Sequence, residues 1–123
     1  MKKTTLFRQL IEAEEILIQP GVHDGFSARL CQQMGFRAGG ISGAGLSEST
    51  LGWADVGLLG YEANVSRSRD IAACVDIPLS ADADTGYGNA VNVFFTTRGF
   101  EAAGVDGICM PRRAPTCCSP TRC

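Results

Sequence analysis

Four times along this chain a short apolar run gives way to a stretch with helical periodicity, and that alternation limits the fold more than any other feature. EILIQPG reads as a first strand ending at Pro20 and Gly21. A helix follows over GFSARLCQQMG, with Asp24 placed to cap it, Phe26, Leu30 and Met34 recurring at i, i+4 and i+8, and Gly35 stopping it. FRAGGIS is a weaker second strand, followed by a loop, GAGLSESTLGWADVG, and a helix over GYEANVSRSRDIAACV whose polar face carries Arg67, Arg69 and Asp70. DIPLSADA is the best strand in the chain. Asn89 or Asn92 then opens the helix VNVFFTTRGFEAAG, in which Gly99 costs about 1 kcal/mol relative to alanine. VDGICM reads as a fourth strand. Ahead of them all, Thr4 or Thr5 can cap a helix in which Leu6, Leu10 and Ile11 share a face. Strand-then-helix repetition at this spacing predicts parallel βα units in place of a sandwich or a bundle. In such units chemistry collects at the carboxyl ends of strands and in the loops that follow.

Size and composition narrow the options. The 123 residues amount to about one domain, whereas a complete (β/α)8 barrel needs roughly 200 or more. At 45% hydrophobic and 20% charged residues, the chain is expected to be soluble and globular. A net charge of −2 with scattered basic residues leaves no footprint for nucleic acid or an anionic membrane. No apolar run approaches the ~18 residues of a membrane span. The opening MKKTTLFRQLIEAEEI has no continuous apolar core of the kind a secretory signal needs, so a cytoplasmic setting is the expectation. Cys31 and Cys74 sit singly in helix-like segments and read as buried free thiols. Cys109, Cys117, Cys118 and Cys123 crowd the end of the chain.

Two stretches carry candidate chemistry. In SADADTGYGNA, Asp82 and Asp84 stand at i and i+2 where the best strand ends, so in an extended chain both point to one side. Such a pair suits a hard cation such as Mg²⁺, which takes one or two carboxylates and leaves its other positions to water and substrate. A solvated turn with an aspartate capping the next helix is the competing reading. Like charges so close raise one pKa unless a cation or a proton lies between them, which tilts the balance toward metal. SGAGLS, from Ser42 to Ser47, has small residues and a hydroxyl that let backbone N–H groups approach an anion, although glycine-rich loops are common. Neither a dinucleotide fingerprint nor a G-K-[ST] loop is present. His23, the one histidine, has no second histidine and no identified serine or cysteine partner. Asn64-Val65-Ser66 fits a glycosylation sequon and is read as a chance match.

Taken in order and at their spacing, PGVHDGFSARLCQQMGF, ISGAGLSESTLGWADVGL and VDIPLSADADTGYGNAVNV with FEAAGVDGI resemble the isocitrate lyase and phosphoenolpyruvate mutase superfamily. Within it the similarity is nearest to the methylisocitrate lyase, dimethylmalate lyase and carboxyphosphonoenolpyruvate mutase group, over roughly residues 5 to 108, with DADTGYGN the most specific part. The resemblance implies a (β/α)8 barrel of which about the first four βα units are present, and a homotetramer for full-length members. It also implies Mg²⁺-dependent chemistry, with Mn²⁺ as an alternative, that makes or breaks a bond at C3 of a pyruvate-like unit through an enolate. Carried over residue by residue, Asp82 and Asp84 match metal-binding aspartates, directly or through water. Ser42, Gly43 and Ala44 match the loop that holds the carboxylate and oxyanion of a 2-oxo acid, and Asp55 matches an acidic residue near the metal. The activity implied is that of a carbon–carbon lyase acting on a 2-hydroxy di- or tricarboxylate such as 2-methylisocitrate. Phosphoenolpyruvate mutase chemistry, hydrolysis of phosphonopyruvate or oxaloacetate, and an inactive fragment are the alternatives.

The sequence also departs from that pattern. Gly40 stands where the lyases commonly have a tyrosine. After the fourth strand the acidic EDQ-like run and the lysine-cysteine-glycine-histidine gate loop are replaced by CMPRRAPTCCSPTRC. From Cys109 onward there are four cysteines, three prolines, three arginines and no acidic residue, whereas all 13 acidic residues precede it. Residues 1–108 therefore read as the first half of a barrel, and 109–123 as an aberrant tail from a frameshifted or alternatively terminated reading frame. Cys117, Cys118 and Cys123 lack the C-x2-C pairs that would argue for zinc.

Overall fold

The computed structural model describes residues 1–111, and the cysteine pattern at 117, 118 and 123 lies outside them. In chain order the elements are α1 (Lys3–Glu12), β1 (Gly21–Val22), α2 (Gly25–Gln33), β2 (Gly39–Ile41), α3 (Gly43–Leu51), α4 (Tyr61–Ala72), β3 (Leu79–Asp82), α5 (Ala90–Ala102) and β4 (Gly107–Cys109). The strands form one sheet in the order β1-β2-β3-β4. Each neighbouring pair is parallel, with Val22 opposite Ile41, Ile41 opposite Ala81 and Asp82 opposite Cys109. Spatial order that follows sequence order is the succession of a (β/α)8 barrel. A doubly wound sheet would reverse it at a switch point. The described residues are thus a partial α/β barrel of four parallel strands, with helices after the first three.

Helices pack on the sheet through the side chains that parallel strands bury. Val22, Ile41, Leu79 and Ala81 from the strands meet Ala28, Leu46, Ile71 and Phe100 from the helices in one core. A smaller cluster of Phe7, Leu10 and Ala38 seats α1. In α5, Gly99 lies directly against the Tyr61 ring, which leaves no room for a Cβ. The propensity cost of this glycine is accepted because the ring occupies its face, and that ring meets Phe100 edge-on with centroids 6.4 Å apart.

Several local expectations are corrected. The first strand is not EILIQPG: Ile16 and Ile18 are exposed, and pairing begins only at Pro20, whose carbonyl accepts from Gly40 N–H. Proline has no N–H to donate, so the ladder starts at its carbonyl and β1 forms just beyond it. Lys2, not Thr4 or Thr5, precedes α1 and makes no side-chain cap. Phe7 joins Leu10 on the buried face, whereas Ile11 is exposed. In α2 the stripe of Phe26, Leu30 and Met34 faces outward, and the small Ala28 and Cys31 face the core. Asp24 caps α2 as expected, in a reciprocal pair with Ser27. Cys31 is buried but Cys74 is only half-buried. The expected loop after β2 is instead helix α3, capped by Ser42 and closed by Gly52 at φ +68°. Its two internal glycines hide it from a propensity reading.

Candidate functional site

The sheet's carboxyl edge gathers the candidate residues. β3 ends on Asp82, and the chain turns away through a short, strained loop. Ala83 N–H donates to the Cys109 carbonyl at 2.9 Å, and Gly86 N–H donates to the Ala83 carbonyl at 3.0 Å. Asp84 at φ +52° and Tyr87 at φ +59° both lie in the left-handed region. Each such non-glycine residue costs on the order of 1 kcal/mol or more and persists only where its surroundings hold it. The simple i, i+2 argument is therefore corrected. Asp84 stands beyond the strand in a left-handed turn, with its N–H donating to Asp82 Oδ1 at 2.9 Å. The turn, and not strand alternation, brings the two carboxylates to one cavity.

Asp55 reaches the same place from another direction. The buried Ser47 hydroxyl of α3 shares its one proton between the carbonyls of Trp53 and Ala54, at 3.1 and 3.3 Å, and so fixes the segment that leads into Asp55. Asp55, Asp82 and Asp84 line a small cavity together with Gly43, Asn64 and Tyr87. The three carboxylates also face an open cleft of about 640 Å³ that Gln19, Ser42 and Cys109 help to line.

The start of α3 borders this space. The Ser42 side-chain oxygen accepts from Gly45 N–H at 3.1 Å. A Cβ on Gly43 would stand 2.7 Å from Asp82 Oδ2, so only glycine lets the helix start this close to the carboxylate. The partial positive charge of the helix start favours an anion there. Ala44 lines neither cavity. His23 lines neither as well; its Nε2 stands 3.7 Å from Asp24 Oδ2 on the surface.

A buried polar chain lies behind the carboxylates. Asn64 Nδ2 donates to the Asp82 carbonyl at 2.9 Å and to the Tyr87 hydroxyl oxygen at 2.7 Å. The Ser68 hydroxyl donates to Asn64 Oδ1 at 3.1 Å. The Tyr87 ring also meets Tyr61 edge-on, with centroids 5.7 Å apart. Burial pushes the Tyr87 phenol above its ordinary range, the Asn64 hydrogen bond opposes that, and Asp84, Asp82 and Asp55 add to the rise. Nothing in the sequence alone marks Ser47, Asn64, Ser68 and Tyr87 as site residues. The available signal was in α4, where Asn64 and Ser68 occupy the first two positions of the stripe i, i+4, i+7, i+8 that Ile71 and Ala72 complete. At 3% exposure, Asn64 has no free amide to offer a glycosylating enzyme in the folded chain.

The donor set favours a hard cation. Among the described residues no basic side chain forms an ion pair with Asp55, Asp82 or Asp84. The same residues contain no group of three His, Cys, Asp or Glu close enough to hold a metal by themselves. A pair of aspartates with open space beside it fits Mg²⁺, which keeps water or ligand oxygen in most of its positions.

Comparison with known proteins gives the site its context. The family described as phosphoenolpyruvate phosphomutase matches residues 7–113. The chain is similar to 2,3-dimethylmalate lyase of Eubacterium barkeri, with 42% identity over 105 residues covering 85% of this chain and 36% of that protein. It is similar to the chloroplastic carboxyvinyl-carboxyphosphonate phosphorylmutase of Arabidopsis thaliana, with 44% identity over 111 residues covering 89% of this chain and 33% of the relative. Among solved structures, a phosphonopyruvate hydrolase in complex with oxalate and Mg²⁺ superposes with a TM-score of 0.87 at 34% identity, covering 94% of this chain and 41% of that one. The chain thus spans about a third of the length of the curated relatives it matches. With the family's sequence pattern running through α1 to β4, and the fold shared with a relative of the same superfamily, the chain belongs to the phosphoenolpyruvate phosphomutase family of the isocitrate lyase superfamily.

Proposed function

We propose that Asp55, Asp82 and Asp84 form a Mg²⁺-dependent site, with Mn²⁺ as an alternative ion, for carbon–carbon lyase chemistry on a 2-hydroxy di- or tricarboxylate. A substrate such as 2-methylisocitrate would yield pyruvate and a second carboxylate. The observation that carries this reading is the convergence of three carboxylates without a basic partner at the carboxyl edge of a parallel sheet. That edge is where barrel enzymes keep their chemistry.

Asp82 and Asp84 would hold the metal. When bound, Mg²⁺ supplies Lewis-acid stabilisation of negative charge developing on the oxygen at C2. Ser42 and Gly43 present the start of α3, whose backbone N–H groups suit a substrate carboxylate. Asp55, which lines the same cleft, orients water or substrate hydroxyl groups by accepting hydrogen bonds. The strained loop keeps Asp82 and Asp84 preorganised, so little reorganisation is needed when charge develops.

The test is direct. The purified chain, supplied with Mg²⁺, is offered 2-methylisocitrate, 2,3-dimethylmalate, oxaloacetate and phosphonopyruvate while pyruvate or oxalate release is followed. The lyase reading expects pyruvate from a 2-hydroxy acid and a loss of roughly 100-fold or more in Asp84→Asn. Oxalate and acetate from oxaloacetate, or pyruvate and phosphate from phosphonopyruvate, with no turnover of a 2-hydroxy acid would move the assignment to hydrolysis. No turnover of any substrate would favour the inactive reading.

A further inference from the structure

One amide joins the two ends of the strained loop. We propose that Asn64 positions the carboxylate site: by tying the last carbonyl of β3 to the Tyr87 hydroxyl, it holds Asp82 and Asp84 in the arrangement that receives a divalent cation. The inference rests on the reading of those two aspartates as cation-holding residues.

The hydrogen-bond chemistry fixes the amide's orientation. The Asp82 carbonyl can only accept, so the group 2.9 Å from it must be the Asn64 NH₂. The second proton of that NH₂ goes to the Tyr87 oxygen at 2.7 Å. Asn64 Oδ1 is then left to accept from Ser68, one turn further along α4. Both amide protons and one acceptor position of the oxygen are used, and both Asn64 and Ser68 are shielded from water, at 3% and 0% exposure. A buried amide satisfied in this way costs free energy to disturb, because each lost partner leaves a polar group unpaired.

The two arms land where the loop is weakest. Asp82 is the last residue of β3, and its carbonyl is held by α4 instead of by a neighbouring strand. Tyr87 is one of the two non-glycine residues at positive φ, and its ring is pinned between Asn64 and Tyr61. Between these anchors lies Asp84, whose own N–H donates to Asp82 Oδ1. Without the amide, left-handed Tyr87 loses a contact that offsets its backbone cost, the Asp82 carbonyl loses its donor, and the loop that carries Asp84 between them is no longer fixed. Partners that orient ligating carboxylates are typically worth 10- to 100-fold in metal affinity.

The experiment titrates the full 123-residue chain with Mn²⁺ and reads the electron paramagnetic resonance signal of the free ion. Wild type is compared with Asp84→Asn, Asn64→Leu, Tyr87→Phe and Leu10→Ala, the last lying in the separate cluster under α1. Asn64→Leu and Tyr87→Phe are expected to weaken Mn²⁺ binding roughly tenfold or more. Leu10→Ala is expected to lower the melting temperature while leaving the affinity within about twofold, since a merely structural loss far from the loop does not move its carboxylates. Affinity retained in Asn64→Leu but lost in Asp84→Asn would overturn the inference and leave the cation site standing. Affinity unchanged in Asp84→Asn would overturn the cation reading and the inference with it. Where Asn64→Leu does not fold, Tyr87→Phe, which removes one oxygen, decides between the same outcomes.

Discussion

At the scale of single residues, this chain is organised around carboxylates that other side chains aim. Asp82 is oriented by its bond to the Asp84 N–H and by the close approach of Gly43. Among the described residues Asp55 has no such hydrogen bond and depends on the segment before it. Ser47, at 1% exposure, ties that segment to α3 through the carbonyls of Trp53 and Ala54. Ser47→Ala leaves both carbonyls without that donor and is expected to cost about 1–2 kcal/mol of stability. Because Asp55 follows immediately, the same variant is expected to change catalytic parameters for any substrate that the wild type turns over. Thermal melts and steady-state kinetics on the one preparation check both effects. Stability lost with unchanged kinetics would assign Ser47 to the fold alone.

At the scale of elements, the helix starts are capped with unequal strength, and α2 makes this measurable through pH. Asp24 accepts from Ser27 N–H at 2.7 Å, and its carboxyl is held below the ordinary value of 3.8 mainly by that bond, with help from the Ser27 hydroxyl. A lowered folded-state pKa means that the ionised cap stabilises the fold above about pH 4 and that this contribution is lost as pH falls through the folded value. Asp24→Ala is accordingly expected to cost roughly 1 kcal/mol near neutrality. The gap between variant and wild-type melting temperatures should close toward pH 2. A gap that stays constant with pH would mean that the charge of Asp24 contributes nothing to the cap. The elements also divide by how much of them could be read in the sequence. Asp24 and Asn89 were legible because a cap depends on residues three apart. Asp82 and Asp84 stood out because two charges follow an apolar run. The start of β1 was misplaced because Ile16 and Ile18 look like strand residues, while the chain begins to pair only where a neighbouring strand meets it, at Pro20. Asn64 and Ser68 are hidden in the sequence for a related reason. A polar residue on a helical stripe looks solvated until the strand end that it serves is placed beside it.

At the scale of the whole molecule, the sheet of the described residues has β1 at one edge and β4 at the other, and its strands run β1-β2-β3-β4 without a reversal. No helix among the described residues is long and apolar enough to cross a membrane. This plain parallel order explains why residues from the ends of three strands reach one edge. Ser42 follows β2, Asp84 follows β3, Asp55 lies in the segment after α3, and Cys109 ends β4. Every group assigned to cation or substrate lies on that edge, so the central claim is that a 2-oxo acid binds there only together with a divalent ion. Oxalate, a small mimic of the enolate of such an acid, separates the alternatives by isothermal titration calorimetry, with Mg²⁺ present and then with Mg²⁺ removed by chelation. The account predicts oxalate binding with Mg²⁺ that disappears on chelation and in the Asp82→Asn, Asp84→Asn double variant. Oxalate binding that is equally strong without Mg²⁺, or is untouched by the double variant, would contradict it.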